Sequence, residues 1–201
     1  MSEPGVQEHF TRAADRYVAR AGRGLLGWLR RRERAVLAGL LAPGPEDSVL
    51  DAGCGAGYDA GWLLPRAREV IGVDVSAAML AEAERRGESV TLMDLAELDL
   101  GRRFDKVLCA GALEFCESPA RVIGRLAAHL EPHGRLLLLV PSRTLGGRVY
   151  RAYHRSHGVP VRLFDSDQLD AWLRQAGLEV RVVVDVTPIS FVVCAEPRAR
   201  V

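Results

Sequence analysis

The residues Val49-Leu50-Asp51-Ala52-Gly53-Cys54-Gly55-Ala56-Gly57 join an apolar run and an acid to three alternating glycines. This order predicts a β-strand that turns sharply into a helix beginning near Gly57. Because glycine lacks a Cβ, its backbone can take positive φ and lets a ligand approach closely. The N–H groups of the following helix would then point at that ligand. The stretch therefore predicts a ligand site at the end of the first strand.

The spacing of the glycines disfavours a dinucleotide as the ligand. The NAD-binding motif G-x-G-x-x-G has a glycine at its sixth position, where this chain has Tyr58. Asp51 is expected to add a carboxylate that faces the loop, repels a pyrophosphate and suits a positively charged ligand. An NAD-dependent oxidoreductase would share the expected fold, but both residues argue against it.

Two further acids follow apolar runs that we interpret as the second and third strands. Asp74 ends the run 70–73, about 20 residues beyond the glycines, where a carboxylate can accept both hydroxyls of a ribose. Asp94 follows the run 90–93. Acids at the ends of neighbouring strands strengthen the prediction that the glycines make alone.

The rest of the chain alternates apolar runs with amphipathic stretches. We expect helices over residues 24–41, 60–68, 119–130 and 169–176, a fourth strand over 106–110 and a fifth strand over 135–140 that is buried on both faces. Strands that alternate with helices imply a parallel sheet. Residues 178–186 and 191–195 are expected to form two closing strands. With 201 residues the chain is long enough for one sizeable core and short for two, so we expect a single domain over residues 1–201.

Several motifs together resemble those of one family. They are residues 49–57, Gly72-Val73-Asp74 followed by Ser76, Met93-Asp94, 104–109 through Leu113-Glu114, and the tract 130–137, in which His133 replaces a glycine of the family's L-x-P-G-G-x-L pattern. On these motifs the chain resembles the class I methyltransferases that use S-adenosylmethionine, in particular the small single-domain type that includes the ubiquinone-biosynthesis methyltransferases. The resemblance implies an α/β fold with a Rossmann-like, doubly wound, mostly parallel seven-stranded sheet and an antiparallel C-terminal edge pair.

The resemblance also implies S-adenosyl-L-methionine as the cofactor. In this role Asp94 would accept a hydrogen bond from the adenine amino group; the alternative is a solvent-facing acid or a cap before Leu95. The expected cofactor-binding residues are Asp51, Gly53, Cys54, Gly55, Gly57, Asp74, Val75, Asp94, Leu95, Cys109, Ala110 and Tyr17.

Residues 1–42 are expected to form an N-terminal helical lid. In the resembled family such a segment often covers the cofactor, so Tyr17 could touch its methionine part; plain packing is the alternative. The predicted helix 24–41 carries a basic face opposite its apolar stripe, with Arg30, Arg31, Arg32 and Arg34. A basic amphipathic helix can rest on an anionic membrane, but Glu33 interrupts the run and we favour a solvated face.

Residues 141–165 are expected to form an insertion on the substrate side of the fold. The stretch 141–164 contains no acid, and its basic residues are Arg143, Arg148, Arg151, Arg155, Arg162, His154 and His157. Since arginine forks bind carboxylates and phosphates, one hypothesis is an anionic acceptor. The alternative is that arginines in this arginine-rich chain carry no such meaning. No motif identifies the acceptor itself.

Methyl transfer is an in-line displacement from a sulfonium, in which the protein mainly aligns the two reactants. A general base is optional. If one is used, the candidates are His154, His157 and Tyr153, since histidine titrates near neutral pH. Phe115 stands where many relatives have a histidine, and Glu114 is not expected to act as a base.

We therefore predict S-adenosylmethionine-dependent methyl transfer to a small-molecule acceptor; a non-catalytic protein that keeps the cofactor motifs is the alternative. The formal net charge of +1 argues against nucleic acid as the main partner. The four cysteines show no C-x-x-C pair and no zinc pattern, so reduced thiols and no metal site are expected. The sequence has no signal-peptide pattern and no run of ~20 apolar residues, which predicts a cytoplasmic protein without stable membrane insertion.

Overall fold

Strands and helices alternate along the chain in the computed structural model, which describes residues 24–199. The strands in this range are β1 Ser48–Ala52, β2 Glu69–Asp74, β3 Ser89–Leu92, β4 Phe104–Ala110, β5 Leu130–Pro141, β6 Leu178–Asp185 and β7 Ser190–Pro197. The α-helices are α1 Gly24–Leu41, α2 Ala60–Leu63, α3 Ala77–Arg85, α4 Pro119–Ala128, α5 Leu145–Ser156 and α6 Ser166–Gln175. Two 3₁₀ turns, Leu95–Glu97 and Leu113–Phe115, follow β3 and β4.

The strands form one seven-stranded sheet in the order β3-β2-β1-β4-β5-β7-β6. Strands β1 to β5 pair in parallel with their neighbours, whereas β7 lies between β5 and β6 and is antiparallel to both. The prediction of a doubly wound, mostly parallel seven-stranded sheet with an antiparallel C-terminal pair is confirmed. The strand order reverses between β1 and β4, and open α/β sheets bind ligands in the crevice at such a point.

Strand β5 shows why both faces of the sheet are covered. Leu136, Leu138 and Val140 pack into one buried apolar cluster with residues of α4 and α6. Leu137 and Leu139 pack into a second cluster with residues of α1 and α2. Successive side chains of a strand point to opposite faces, so an uninterrupted apolar run requires a layer of helices on each side. The expected burial of this strand on both faces is confirmed.

The helix after the glycines is much shorter than predicted. It spans only Ala60–Leu63, whereas we expected a helix from near Gly57 through residues 60–68. Proline lacks the N–H that would continue the helical ladder, and Pro65 stops the helix one residue after its C-cap Leu64. The glycine turn itself, rather than the N-terminus of a long helix, therefore borders the site.

The segment after β5 contains the helix α5, which we did not predict. The hydroxyl oxygen of Thr144 caps its N-terminus by accepting the N–H of Gly147 at 3.2 Å. The two ends of the segment are joined, since the N–H of Phe164 donates to the oxygen of Pro141 at 2.9 Å and the N–H of Arg143 donates to the oxygen of Phe164 at 3.1 Å. The segment therefore leaves the carboxyl end of β5 and returns to the same place.

Residues 24–199 contain neither a membrane-spanning helix nor a metal-binding cluster. No helix there is long and apolar enough to cross a membrane. No group of His, Cys, Asp and Glu side chains in the same range could hold a metal ion.

Candidate functional site

The glycine turn is fastened to the neighbouring strand β2. The N–H groups of Gly53 and Cys54 donate to the carbonyl oxygen of Val73, at 2.7 and 3.1 Å. Gly53 has a φ of 78°, and a Cβ placed on it would collide with the Cβ of Ala112, which follows β4. Only glycine meets both requirements. The turn therefore packs closely between the ends of β2 and β4.

A cavity, here called the loop cavity, opens beside this turn at the carboxyl ends of β1, β2 and β4. It is lined by Arg30, Gly53, Cys54, Gly55, Ala56, Tyr58, Asp59, Asp74, Val75, Ser76, Met79, Met93, Leu95, Ala110, Gly111, Ala112, Phe115 and Cys116. The structure thus brings together the expected residues Gly53, Cys54, Gly55, Asp74, Val75, Leu95 and Ala110. Asp51, Gly57, Asp94 and Cys109 are not among the lining residues. Tyr17 lies outside the described residues.

Asp74 both supports the turn and borders the loop cavity. Its Oδ2 accepts the N–H of Gly55 at 3.0 Å, and its Oδ1 accepts the N–H of Ser76 at 2.9 Å. Burial raises the pKa of Asp74, while the backbone N–H groups of Ser76, Gly55 and Val75 act in the opposite direction. Each oxygen of a carboxylate has two lone pairs, so both oxygens can still accept a bond from a ligand.

Buried acids lie close to the turn. The Asp51 side chain is 2% exposed, and its Oδ2 has no hydrogen-bond partner among the described residues. Burial, followed by the charges of Glu88, Asp59 and Asp74, raises the pKa of Asp51 well above its usual range. We expected the Asp51 carboxylate to face the loop, but the side chain is sealed in the protein. Of these acids, Asp59 and Asp74 line the loop cavity, where carboxylates disfavour a pyrophosphate.

A family model described as a methyltransferase domain matches residues 10–183. The match includes the strands β1 to β5 and every residue that lines the loop cavity. The chain belongs to the class I S-adenosylmethionine-dependent methyltransferases. Its cofactor is therefore S-adenosyl-L-methionine, as the motifs predicted.

Named relatives of this methyltransferase act on different small molecules. The ubiquinone biosynthesis O-methyltransferase of Pseudomonas aeruginosa is 28% identical over 172 residues, which cover 77% of this chain and 71% of that protein. The trans-aconitate 2-methyltransferase of Methylobacterium nodulans is 31% identical over 151 residues, which cover 67% of this chain and 58% of that protein. The magnesium protoporphyrin IX methyltransferase of Synechocystis PCC 6803, solved with bound S-adenosylhomocysteine, shares the fold with a TM-score of 0.76 at 22% identity, over 96% of this chain and 98% of that one.

Three of the expected cofactor residues of the methyltransferase have evident structural tasks. The Oδ1 of Asp94 accepts the N–H of Ala96 at 2.9 Å and caps the turn Leu95–Glu97, so the capping role that we gave as an alternative is present. A Cβ on Gly57 would come within 2.9 Å of the Cα of Ala83 in α3. Cys109 is fully buried in β4. Contact of these three residues with the cofactor stays a prediction.

The three candidate bases, at the end of α5, differ in exposure and in what they contact. The His154 ring is 4.4 Å from the ring of Tyr150 and 6.2 Å from the ring of Phe115, which lines the loop cavity. Tyr153 is 56% exposed, and the exposed His157 has its Nδ1 2.8 Å from the carbonyl oxygen of Tyr153. The Tyr153 ring also lies 5.5 Å from the His154 ring, edge to face, on the solvent side of the helix. The structure therefore brings His154 to the edge of the site and leaves Tyr153 and His157 at the surface.

The arginines of the segment 141–165 do not line the loop cavity either. Arg143 forms an ion pair with Asp165 at 2.7 Å, and Arg162 donates to the carbonyl oxygen of Glu117 at 3.3 Å. Arg148, Arg151 and Arg155 are exposed. These arginines are turned to solvent or to local partners, and an anion site on this segment stays a prediction.

A second cavity, here called the arginine cavity, adjoins the loop cavity beside α1. It has a volume of about 490 Å³ and is lined by Gly27, Arg30, Arg31, Glu33, Arg34, Leu37, Gly57, Tyr58, Asp59, Gly61, Arg86, Ala110 and Leu139. Arg30, Tyr58, Asp59 and Ala110 line both cavities. The two cavities therefore meet at these four residues.

Sequence reasoning missed one buried acid and gave no chemical role to another. Glu88 is 3% exposed, both of its carboxyl oxygens lack a hydrogen-bond partner within residues 24–199, and burial and then the charge of Asp59 raise its pKa to about 7. Glu114 is 4% exposed, and burial raises its pKa to about 7 against the effects of a backbone hydrogen bond and Arg30. No motif marks Glu88. The sequence feature connected with Glu88 is the glycine at position 72 of β2. A Cβ at this position would come within 2.9 Å of the Glu88 carboxyl.

Proposed function

We propose that this methyltransferase transfers the methyl group of S-adenosylmethionine to a small-molecule acceptor by in-line displacement. The acceptor atom forms a bond to the methyl carbon while the carbon–sulfur bond breaks, and the sulfur keeps the electron pair and loses its positive charge. A proton on the acceptor atom passes to water or to a nearby base. The names of the relatives support a small-molecule acceptor, since one acts in ubiquinone biosynthesis and another on trans-aconitate.

The position of Asp74 carries the cofactor part of the proposal. Its carboxyl borders the loop cavity, and two backbone N–H groups hold it in place. A carboxylate fixed in this way can accept both hydroxyls of a ribose without reorganising. Asp59 also lines the loop cavity, and a carboxylate at this place would attract a sulfonium. The residues present therefore fit S-adenosylmethionine.

The side of the loop cavity next to β4 suits the transfer itself. Ala110, Gly111 and Ala112 have small side chains and leave room for a methyl group and its acceptor. Phe115 and Cys116 continue this wall, and His154 packs beside Phe115. Alignment of the reactants supplies much of the rate in such a displacement, and His154 is the candidate for taking up a proton. A cytoplasmic location and the absence of a nucleic-acid partner stay predictions.

A two-step experiment tests the proposal. Calorimetry on the purified protein is expected to show binding of S-adenosylmethionine and S-adenosylhomocysteine and no binding of NAD. A panel of metabolites is then incubated with methyl-labelled cofactor, and transfer to one of them is expected. Cofactor binding without transfer to any of a broad panel would favour the non-catalytic alternative. Tight NAD binding with no response to either sulfur compound would overturn the proposal.

A further inference from the structure

The arginine cavity carries more positive than negative charge. Four arginines line it, Arg30, Arg31, Arg34 and Arg86, against two acids, Glu33 and Asp59. Arg30 lies 3.8 Å from Glu33, and Arg34 lies 3.8 Å from Asp59. The two acids are thus both paired with arginine, which leaves an excess of two positive charges on the lining. A cleft lined by one sign of charge concentrates ligands of the opposite sign.

The excess charge resides on Arg31 and Arg86. Neither guanidinium forms an ion pair with a carboxylate among the described residues. The Arg86 guanidinium lies 5.0 Å from the centre of the Tyr58 ring, which fixes it at the cavity without neutralising it. Both residues are exposed at the cavity, and guanidinium groups without an anionic partner suit a carboxylate or phosphate, which they bind through two parallel hydrogen bonds.

Part of the lining of the arginine cavity is apolar and reaches the loop cavity. Leu37 and Leu139 are 2% and 4% exposed, and Ala110 stands at the junction with the loop cavity. Ligand sites of this kind combine an apolar lining with a few placed polar groups, and their volumes run from about 300 to 1,000 Å³. The arginine cavity, at about 490 Å³, falls within that range.

We infer that the arginine cavity is the acceptor compartment and that it recognises an anionic acceptor, a carboxylate or phosphate compound. The anionic group would lie at Arg31 and Arg86, the apolar part along Leu37 and Leu139, and the methyl-accepting atom at Ala110, where the two cavities meet. This inference rests on the proposed methyl transfer. It assigns the anion site to α1 and to Arg86, which follows α3, and not to the segment 141–165. In this inference, arginines of α1 contribute to binding the acceptor and do not serve only as a solvated surface.

The test uses citrate as the probe and its neutral trimethyl ester as the control compound. Full-length protein saturated with S-adenosylhomocysteine is titrated with each compound by calorimetry at low ionic strength. We expect wild-type protein to bind citrate and not the ester. The double variant Arg31→Gln/Arg86→Gln should weaken citrate binding at least tenfold, and Arg31→Lys/Arg86→Lys should weaken it less, because the charge remains but the paired geometry is lost.

A matched control changes the net charge equally at another place. Arg148→Gln/Arg151→Gln removes two exposed arginines of α5 that line neither cavity, and it should bind citrate as wild type does. Equal citrate affinity in both double variants, or no citrate binding by wild-type protein, would overturn the inference. Binding to phosphatidylserine vesicles that requires Arg31 and Arg86, with no binding of citrate, would also overturn it in favour of a membrane surface. The affinity for S-adenosylhomocysteine, measured in the same samples, reports separately on the proposed function.

Discussion

The carboxyl group of Asp74 accepts the N–H of Gly55 at 3.0 Å and so ties the end of β2 to the middle of the glycine turn. The same carboxyl borders the loop cavity. The side chain that would bind the ribose is thus also one that shapes the turn beside the loop cavity, where we propose that the cofactor binds. Loss of this carboxyl should therefore lower cofactor affinity in two ways. It removes the hydrogen bonds to the ribose, and it removes the bond that holds the glycine turn.

Replacement of Asp74 by alanine should weaken cofactor binding strongly. Two charge-assisted hydrogen bonds to the ribose would contribute about 2 to 3 kcal/mol in total, which corresponds to a loss of affinity of tens-fold or more. Calorimetric titration with S-adenosylhomocysteine measures it. Asp185→Ala, at an exposed acid of β6, serves as the control and should bind normally. An unchanged dissociation constant in folded Asp74→Ala protein would remove Asp74 from the site.

Gly53→Ala should lower the stability of the fold more than Gly55→Ala does. Both glycines have positive φ, 78° and 55°, so both substitutions carry a backbone cost of roughly 1 to 3 kcal/mol. A Cβ at Gly53 also collides with Ala112, whereas a Cβ at Gly55 meets no atom within 4 Å. We expect Gly53→Ala to have the lower melting temperature. Adding Ala112→Gly should restore part of the loss in Gly53→Ala only; a rescue of both variants, or of neither, would contradict this reading.

The buried carboxyl of Glu88 should make the stability of the protein depend on pH. Burial and Asp59 raise its pKa from 4.5 to about 7, so the folded chain holds a proton that the unfolded chain releases in this interval. The contribution of Glu88 to the free energy of unfolding is therefore complete below about pH 4.5. It decreases as the pH rises to about 7, by up to roughly 3 kcal/mol. Glu114 has a pKa of about 7 as well and should add to the same trend.

Glu88→Gln removes one of these two titrations and should reduce the slope of the pH profile. Melting temperatures of the cofactor-free protein at pH 5 to 8 are the measurement, and the variant should gain over wild type as the pH rises. Glu84→Gln, at an exposed position of α3, should follow the wild-type profile. If Glu88→Gln keeps the full slope, the titrating group lies elsewhere.

Much of the cofactor side of the site could be predicted from the sequence because its residues belong to local motifs. The glycine turn and Asp74 follow the carboxyl ends of neighbouring strands. Because the carboxyl ends of parallel strands lie at the same edge of the sheet, the two are expected to lie close together. Asp51 is also at a strand end, but whether its side chain opens to the cavity or is sealed depends on what packs over it. Glu88 is such a neighbour, and no local pattern links it to Asp51.

The acceptor side could not be predicted in the same way. The basic residues of the segment 141–165 and those of α1 look alike in sequence, and only the packing of each helix decides which arginines line a cavity. In α1, Leu37 and Leu41 are buried against the sheet, which turns Arg30, Arg31 and Arg34 toward the glycine turn. At the end of α5, only the packing distinguishes His154, which lies beside Phe115, from the exposed His157.

His154 and His157 therefore give a sharp comparison for the chemistry of transfer. His154 packs against Tyr150 and Phe115 at the edge of the loop cavity, while His157 is exposed at the end of α5. We expect His154→Gln to lower the rate of methyl transfer, by roughly 10² to 10⁴ if the imidazole takes the proton, and His157→Gln and Tyr153→Phe to leave the rate unchanged. The measurement is turnover with labelled cofactor and an acceptor found by the metabolite panel, together with the affinity for S-adenosylhomocysteine.

The pH dependence of turnover shows whether His154 acts as a general base or only lines the site. Glutamine keeps the size and hydrogen-bonding capacity of histidine but does not titrate near neutral pH. Loss of the rate together with loss of a neutral-pH inflection in the turnover profile would identify His154 as the base. A rate that holds in His154→Gln would show that alignment alone carries the reaction. An equal loss in His157→Gln, with the fold intact, would mean that α5 takes another position when the acceptor is bound.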